Sequence, residues 1–393
     1  MTIFKGNDIR GIYGTELKDE HARKIGQAFV HFLKCNKVVV GRDHRLSSPK
    51  LTKVLISGIR DSGADVVDVG MIDSPGLYFA SHILKIPAIM VTASHNPPDH
   101  NGFYLCMSDA RPIYKENGLH EIEKLTKINL AKANKKGSYK ELNIWKEYEK
   151  HILSFLDTKK IKPLKVVLDV GNGVGAMIAK RIFSKIPQIN LIPMYFKLDG
   201  TFPNRASDTS VPENLVKLQQ KVKLVKANIG LAFDGDADRV SFIDEKSRFL
   251  DGSIIGAILA EYFIQNSEKK ETIVYSSRCS RVLPEIVKKF KAQSIEERVG
   301  HSFMATRMRE KNAIFGIEKT GHYFFKNNFY TESPMITSLM MSLILSNSKH
   351  SLSKLAKPLE KYYMTDEISF PTNKINALEL VKQAISKSYS TKI

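Results

Sequence analysis

Apolar, β-branched stretches alternate with amphipathic stretches three times along the chain, and a polar loop joins the members of each pair. The pairs are 38–43 with 48–62, 166–173 with 175–186, and 272–278 with 280–290. A short apolar strand followed by a helix is typical of parallel α/β units. We therefore predict an α/β protein with three successive related α/β domains and mixed sheets. In such domains, ligands bind beyond the carboxyl ends of the strands.

Breaks in this pattern predict where the domains begin and end. A lysine-rich amphipathic stretch, 116–157, and Pro163 separate the first pair from the second, and Pro358 opens a break after the third. The predicted domains are 1–145 with a serine loop, 146–250 with an acidic loop and 251–362 with a third polar loop, and 363–393 remain as a C-terminal fragment.

The C-terminal fragment and one apolar run need separate interpretation. The fragment contains a strand-like run, 367–370, and a helix-like run, 377–388, and is smaller than segments that usually fold alone. The apolar run 335–345 is broken by polar residues and is too short to cross a membrane, so we predict a buried helix and no membrane association.

Composition narrows the functional classes. The formal net charge of +19 favours anionic partners such as phosphate esters. The lysines are spread along the chain and no arginine-rich helix or zinc-finger spacing occurs, so no nucleic acid partner is expected. The three cysteines are far apart, which argues against a disulfide scaffold and for a reducing, cytoplasmic location.

The acidic loop places three carboxylates directly after an apolar run. Asp234, Asp236 and Asp238 lie at alternate positions, and an extended backbone would project them to one side. Because such carboxylates repel one another, they favour a hard cation, Mg²⁺ or Ca²⁺. An EF-hand is rejected because Arg239 stands where its glycine is required and the flanking runs are strand-like. The alternative is an acidic turn without a metal.

A loop of small residues carries a candidate reactive serine. Ser94 follows the apolar run 88–91 and precedes the rigid turn signal Asn96-Pro97-Pro98. We expect an exposed hydroxyl at the end of a strand, suited to nucleophilic or phosphate-carrying chemistry. Adjacent Ser94 and His95 are expected on opposite faces, which makes His95 a poor base for Ser94. The alternative is a serine in an ordinary turn.

A third loop, 315–322, offers a carboxylate, a hydroxyl and an imidazole between two glycines. These groups belong to Glu318, Thr320 and His322, and they can accept or donate hydrogen bonds to sugar hydroxyls. Taken alone, such a loop is often only a turn.

With these loops in this order, the chain resembles the α-D-phosphohexomutase family, and within it the phosphomannomutase and phosphoglucomutase group. The serine and triple-aspartate motifs together are highly specific for that family. The similarity runs from Phe4 to about Tyr363. The matching segments are 8–11, 41–43, 92–97, 199–204, 234–239, 299–302 and the Glu318 loop.

The resemblance implies an intramolecular phosphotransferase. Such an enzyme interconverts hexose 1-phosphate and 6-phosphate, of mannose or glucose, through a phosphoserine and a hexose 1,6-bisphosphate, with Mg²⁺ as cofactor. The implied site consists of catalytic Ser94, His95, Arg10 and Arg239, metal ligands Ser94, Asp234, Asp236 and Asp238, and substrate-binding Glu318, Thr320, His322, His301, Arg278 and Tyr104.

Three departures from the family pattern bear on activity. Tyr104 and Arg278 each stand where the family usually has lysine; tyrosine carries no positive charge at neutral pH, and arginine is a poor base. The phosphate-binding loop of the family's fourth domain does not occur before Ile393, so the resemblance implies that 363–393 is a truncated remnant of that domain. Because that loop supplies remote binding energy, the resemblance predicts weakened affinity and turnover for a chain without it.

These departures leave alternatives beside an active mannose or glucose phosphomutase. One is a catalytically impaired, truncated family member that binds metal or sugar phosphate. Another is phosphoglucosamine mutase activity, since Ile317 and Lys319 blur the sugar-loop pattern. The expected partners are hexose phosphates and hexose 1,6-bisphosphate, and the expected state is a monomer or weak dimer.

Overall fold

A computed structural model of the chain describes residues 3–363 and 376–388. The chain divides into two units, Met1–Lys361 and Tyr362–Ile393. The first unit contains three mixed sheets in chain order, and the second contains a helix, 377–388. Three successive α/β domains with mixed sheets confirm the predicted fold class.

The first sheet has seven strands in the order β1-β5-β4-β2-β3-β7, with β6 paired to β5. The strands β2, β3, β4 and β7 pair in parallel, whereas β5 runs antiparallel to β1 and β4. Its strands are β1 (Ile9–Ile12), β2 (Lys37–Arg42), β3 (Asp65–Met71), β4 (Ala88–Val91), β5 (His100–Met107), β6 (Arg111–Pro112) and β7 (Tyr139–Glu141), and the helices along this part of the chain are α1 (Asp19–Leu33), α2 (Ser48–Asp61), α3 (Ser74–Leu84), α4 (Leu119–Thr126) and α5 (Trp145–Leu153).

Helices α1 and α2 illustrate how the sequence determines this packing. Pro49 lies in the first turn of α2, where its missing N–H costs no hydrogen bond. Gly58 of α2 approaches Arg23 of α1 so closely that an added Cβ would lie 2.1 Å from the Arg23 carbonyl oxygen. Glycine at this crossing therefore allows the two helices to pack together.

The second and third sheets each have five strands. Their orders are β12-β11-β10-β8-β9 and β14-β13-β15-β16-β17. The second sheet comprises β8 (Leu164–Asp169), β9 (Ile189–Met194), β10 (Ile229–Phe233), β11 (Val240–Asp244) and β12 (Phe249–Leu250), with α6 (Gly175–Phe183) and α7 (Val216–Val225). The third comprises β13 (Thr272–Ser276), β14 (Gln293–Glu297), β15 (Phe315–Ile317), β16 (Tyr323–Phe325) and β17 (Thr331–Glu332), with α8 (Gly252–Gln265), α9 (Val282–Lys289), α10 (His301–Lys311), α11 (Pro334–Asn347) and α12 (Leu352–Ala356).

The sequence patterns predicted several of these elements. All three strand–helix pairs are present, and the apolar run 335–345 lies within the buried helix α11. The C-terminal helix, α13 (Ala377–Ser388), is also present, whereas the strand-like run 367–370 lies outside the described residues. The boundaries proposed for the domains stay predictions. Across the described ranges, no helix combines the length and apolar character needed to cross a membrane.

Candidate active site

The serine loop begins where β4 ends. Ser94 has a φ of 49°, in the left-handed region, and its backbone N–H donates a hydrogen bond to the Thr92 hydroxyl. The Ser94 side chain is buried, so the expected exposed hydroxyl was wrong. Thr92, Ala93 and Ser94 are all fully buried, so this part of the loop is enclosed by the protein.

The relation between Ser94 and His95 also differs from the expectation. Ser94 Oγ lies 3.1 Å from His95 Nδ1, so the two side chains share one face. The alternation that separates neighbours in a strand fails here because Ser94 has a positive φ. Burial, followed by the charges of Arg239 and Arg10, lowers the pKa of His95 to about 3, so the ring is neutral at physiological pH.

A buried arginine holds this loop in place. Arg45 is 0% exposed, and its Nε lies 3.2 Å from Asp43 Oδ2. Its guanidinium also donates hydrogen bonds to four loop carbonyls, those of Ser94, Asn96, Pro97 and His100. One rigid, planar donor therefore fixes the backbone around Ser94.

Arg10, on β1, is held beside the same loop by three side chains. Its guanidinium donates to Asp8 Oδ2 over 3.0 Å, to Asn96 Oδ1 over 2.6 Å and to the Tyr104 hydroxyl over 2.5 Å. Tyr104 is buried on β5, and burial raises the pKa of its hydroxyl well above the ordinary value, so it is neutral. Arg10 therefore brings a cation to the serine loop through Asn96, with neutral Tyr104 as its partner.

The acidic loop follows β10 as a tight turn. Ala237 has a φ of 55°, so the expected extended backbone was wrong. Asp234 Oδ1 accepts hydrogen bonds from the backbone N–H groups of Asp238 and Arg239, which turns the loop on itself. The turn still brings the three carboxylates together: one oxygen from each of Asp234, Asp236 and Asp238 lies within 4.8 Å of the other two.

The chemistry of these carboxylates fits a hard divalent cation. All three are buried, and Asp236 Oδ1 and both Asp238 oxygens lack a hydrogen-bond partner within the described part of the chain. Burial and then the charge of Asp234 raise the pKa of Asp236 to about 7, and burial also raises that of Asp238. Mg²⁺ prefers oxygen ligands, and a bound cation would compensate the repulsion among these buried carboxylates.

Hydrogen bonds join the acidic loop to the serine loop and to helix α3. Ser94 Oγ donates to Asp234 Oδ2 over 3.3 Å. Ser74, the first residue of α3, donates from Oγ to Asp236 Oδ2 over 2.6 Å and from its backbone N–H to the Asp236 carbonyl oxygen over 3.0 Å. The Ser94 hydroxyl is thus held at the edge of the carboxylate cluster.

The sugar loop, the segment 315–322 predicted to bind sugar hydroxyls, lies next to the acidic loop. Arg239 Nε donates to His322 Nε2 over 2.9 Å, and the backbone of Val240 donates to the carbonyl oxygen of Gly321 over 3.0 Å. Glu318 is buried and accepts a hydrogen bond from the Gly300 backbone over 2.8 Å. Burial raises the pKa of Glu318, while the nearby charges of Arg239 and Arg278 oppose that shift.

The remaining predicted residues border the same region. His301 begins α10, and its ring lies 5.2 Å from that of Tyr104 and 6.3 Å from that of His322. Burial lowers the pKa of His301 to about 4. Thr320 is half-buried in the turn between Glu318 and His322. The structure therefore gathers residues from all three sheets around Ser94 and the three aspartates.

Three family models match the chain, one for each of its three α/β domains. They describe α/β/α domains I, II and III of phosphoglucomutase/phosphomannomutase and match residues 1–132, 146–248 and 251–363. The chain belongs to the phosphoglucomutase/phosphomannomutase family. This membership confirms the resemblance drawn from the motifs.

Individual relatives agree with the family assignment. A phosphomannomutase of Vibrio cholerae is 35% identical, over 99% of this chain and 86% of the relative. A phosphomannomutase of Escherichia coli K12 is 33% identical, over 96% and 86%. The crystal structure of a family protein from Burkholderia thailandensis superposes with a TM-score of 0.82 at 33% identity, covering 94% of this chain and 82% of that one.

Three residues of the region were missed by sequence reasoning. Arg45 lies two positions after Asp43, the end of the matched segment 41–43, and this nearby basic residue was the available signal. Ser74 and Glu332 carried no such signal in the sequence, because a serine at a helix start and a glutamate in a short strand are common. Their proximity to the aspartates depends on how the domains pack.

Proposed function

We propose that this phosphoglucomutase/phosphomannomutase family member interconverts hexose 1-phosphate and hexose 6-phosphate, with mannose or glucose as the sugar. The observation that carries the proposal is the 3.3 Å hydrogen bond from Ser94 Oγ to Asp234 Oδ2. It places a hydroxyl suited to carrying a phosphoryl group at a carboxylate cluster suited to a divalent cation. Neither motif alone specifies phosphoryl transfer.

Ser94 is proposed as the phosphoryl carrier. Phosphorylated Ser94 would give its phosphoryl group to the free hydroxyl of a hexose monophosphate, which forms a 1,6-bisphosphate. After the sugar reorients, its other phosphate would return to Ser94 Oγ. Arg10, fixed by Asp8, Asn96 and Tyr104, supplies positive charge beside the loop, which phosphoryl transfer requires.

Mg²⁺ is the proposed cofactor. Asp234, Asp236 and Asp238 would hold it, and an oxygen of phosphorylated Ser94 would complete the set. When bound, the ion neutralises negative charge on the transferred phosphoryl group. The protein's own contribution is to bury the carboxylates, turn them together and hold Asp236 by its two hydrogen bonds from Ser74.

The other polar residues are proposed to orient the substrate. Glu318 and Thr320 would bind sugar hydroxyls, and His301, His322 and Arg278 would line the cleft with them. Arg239 would face the transferred group while its Nε remains bonded to His322. His95, kept neutral by its lowered pKa, would serve as a hydrogen-bonding partner of Ser94.

The test is a coupled assay of the purified protein. Mannose 1-phosphate or glucose 1-phosphate is supplied with Mg²⁺ and a trace of glucose 1,6-bisphosphate, and formation of the 6-phosphate is measured. Activity that disappears in Ser94→Ala supports the proposal, and mass spectrometry of wild-type protein should find phosphate on Ser94. No turnover with either sugar, under conditions in which a full-length relative works, would contradict it and leave the impaired relative as the better interpretation.

Three finer points belong to the same proposal. Glucosamine phosphate is the alternative substrate, and the assay includes glucosamine 1-phosphate to decide it. A monomer or weak dimer is proposed, to be measured by light scattering. A cytoplasmic location is proposed because Cys35, Cys106 and Cys279 are each unpaired in the described structure.

A further inference from the structure

A second cluster of ligand-type side chains adjoins the acidic loop. Asp238, His322 and Glu332 each place one ligand atom within 4.8 Å of the others, and all three residues are at least 97% buried. Asp238 comes from the acidic loop, His322 from the sugar loop and Glu332 from β17. This cluster shares only Asp238 with the three-aspartate cluster.

The polar atoms of this cluster are poorly satisfied. Both oxygens of Asp238, Oε1 of Glu332 and Nδ1 of His322 are buried without a hydrogen bond of normal geometry to any described residue. The Asp238 backbone faces the His322 ring but makes no such bond to Nδ1. Burying several unsatisfied polar atoms is costly unless a ligand compensates them.

We propose that Asp238, His322 and Glu332 form a second divalent-metal site, selective for a borderline ion such as Zn²⁺. One imidazole nitrogen and two carboxylates suit Zn²⁺ and related transition metals, whereas Mg²⁺ prefers oxygen ligands alone. The three-aspartate cluster offers only oxygen. The two adjacent clusters therefore differ in the class of ion that each favours.

The geometry requires a small contraction. His322 Nδ1 and Asp238 Oδ1 are 4.0 Å apart. Around an ion with bonds of ~2.1 Å, neighbouring ligand atoms lie about 3 to 3.5 Å apart, so the gap must close by about 0.5 to 1 Å. His322 directly precedes β16 and Glu332 lies on the neighbouring strand β17, paired with Phe324 of β16, and side-chain rotation can supply such a movement.

Metal binding must also break one existing hydrogen bond. Because His322 Nε2 accepts from Arg239 Nε, the proton of the neutral ring lies on Nδ1. For Nδ1 to bind the ion, that proton must transfer to Nε2, and the bond from Arg239 is then lost. Arg239 Nε also lies 3.9 Å from Asp238 Oδ1, so its positive charge opposes a cation there.

Two substitutions are expected to change Zn²⁺ affinity in opposite directions. Glu332→Gln removes a ligand charge and should weaken Zn²⁺ binding at least about tenfold, since loss of even a residue that only supports a metal ligand lowers metal affinity by about 10- to 100-fold. Arg239→Gln removes the competing cation and frees His322 Nε2, so it should strengthen binding. A general loss of folding would weaken binding in both.

The test measures Zn²⁺ affinity of the metal-free protein by competition with a chromophoric chelator. Glu318→Gln is the matched control, because Glu318 is a similarly buried carboxylate, directly after β15, that belongs to neither cluster. The proposal expects weaker binding in Glu332→Gln, stronger binding in Arg239→Gln and little change in the control. Equal affinity of wild type and Glu332→Gln would overturn it.

X-ray absorption of wild-type protein loaded with one equivalent of Zn²⁺ decides the matter if a variant does not fold. Scattering from an imidazole ligand is expected, and a shell of oxygen atoms alone would refute the site. Because Asp238 belongs to both clusters, Zn²⁺ is also expected to inhibit the mutase reaction. That consequence rests on the proposed function, whereas the binding and absorption measurements do not.

Discussion

The Tyr104 hydroxyl accepts a hydrogen bond from Arg10 Nη2 over 2.5 Å. Tyr104 stands where the family usually has lysine, and the guanidinium of Arg10 occupies the space next to its hydroxyl. The Arg10 guanidinium also lies 5.3 Å from the centre of the Tyr104 ring. The structure thus pairs neutral Tyr104 with Arg10, where a lysine at position 104 would place a second positive charge against that of Arg10.

We expect Tyr104→Phe to lower kcat by about tenfold, equivalent to ~1.4 kcal/mol, because a charged donor in a buried site loses its acceptor. KM should change less, since Arg10 keeps its bonds to Asp8 and Asn96. Steady-state kinetics of the mutase reaction provides the measurement. Tyr139→Phe is the control, because its hydroxyl bonds carboxylates at the surface.

Tyr104→Lys restores the family residue, yet we expect it to lower kcat as well. The ammonium group would lie against Arg10, and two like charges in a buried site repel each other. The expected result is activity no higher than that of Tyr104→Phe. Activity above wild type would contradict this prediction, because it would show that the site accommodates a second positive charge beside Arg10.

Asp238→Asn should abolish the effect of Mg²⁺ on thermal stability. Mg²⁺ is expected to raise the Tm of wild-type protein, because it binds the folded state and not the unfolded chain. In the variant one carboxylate of the cluster is lost, so Tm should respond little to Mg²⁺. Without metal the variant should be at least as stable as wild type, since neither Asp238 oxygen accepts a hydrogen bond from the described residues. Glu121→Gln, on exposed α4, is the control and should keep the wild-type response.

Arg45→Lys should destabilise the protein by about 2–4 kcal/mol, because a single ammonium cannot satisfy Asp43 and four carbonyls at once. Chemical denaturation measures the change, and mutase activity should fall with it as the Ser94 loop loosens. Arg60→Lys is a matched control, since Arg60 also donates to a backbone carbonyl, that of Gly137, but away from the site. A comparable loss in both variants would mean that the serine loop does not depend specially on Arg45.

Asp73 gives a prediction for pH. Burial raises the pKa of this carboxyl from 3.8 to about 7, although it accepts hydrogen bonds from Tyr148 and Gly76. A raised pKa in the folded state means that the folded protein binds the proton more tightly. The resulting stability is fully present below pH 3.8 and is lost as pH rises through about 7.

The measurement is the free energy of unfolding between about pH 4 and pH 8. Wild-type stability should fall with pH more steeply than that of Asp73→Asn, which has no proton to lose. Parallel curves for the two proteins would show that Asp73 is ionised across the range.

Much of the architecture was predictable from local pattern. The three strand–helix pairs were found because a buried strand needs a continuous apolar run and a surface helix needs an amphipathic one. The buried helix α11 was found for the same reason. The order of the Ser94, Asp234 and Glu318 loops was sufficient to identify the family, because so specific a combination of motifs rarely recurs.

The conformation of the loops was not predictable. A positive φ at Ser94 brings His95 to the hydroxyl and reverses the expectation that they diverge. A positive φ at Ala237 turns the acidic loop that was expected to be extended. Such backbone conformations are uncommon for residues other than glycine, and they are maintained here by contacts with distant segments, such as those of Arg45.

The sequence by itself determined the succession of α/β units and the motifs that contain Ser94 and the three carboxylates, because each depends on residues that are neighbours in the chain. Only the tertiary structure decided which of these groups meet. The hydrogen bonds of Ser94 to Asp234, Ser74 to Asp236 and Arg239 to His322 span 140, 162 and 83 positions. Contacts over such separations depend on the packing of whole domains, which no local pattern encodes.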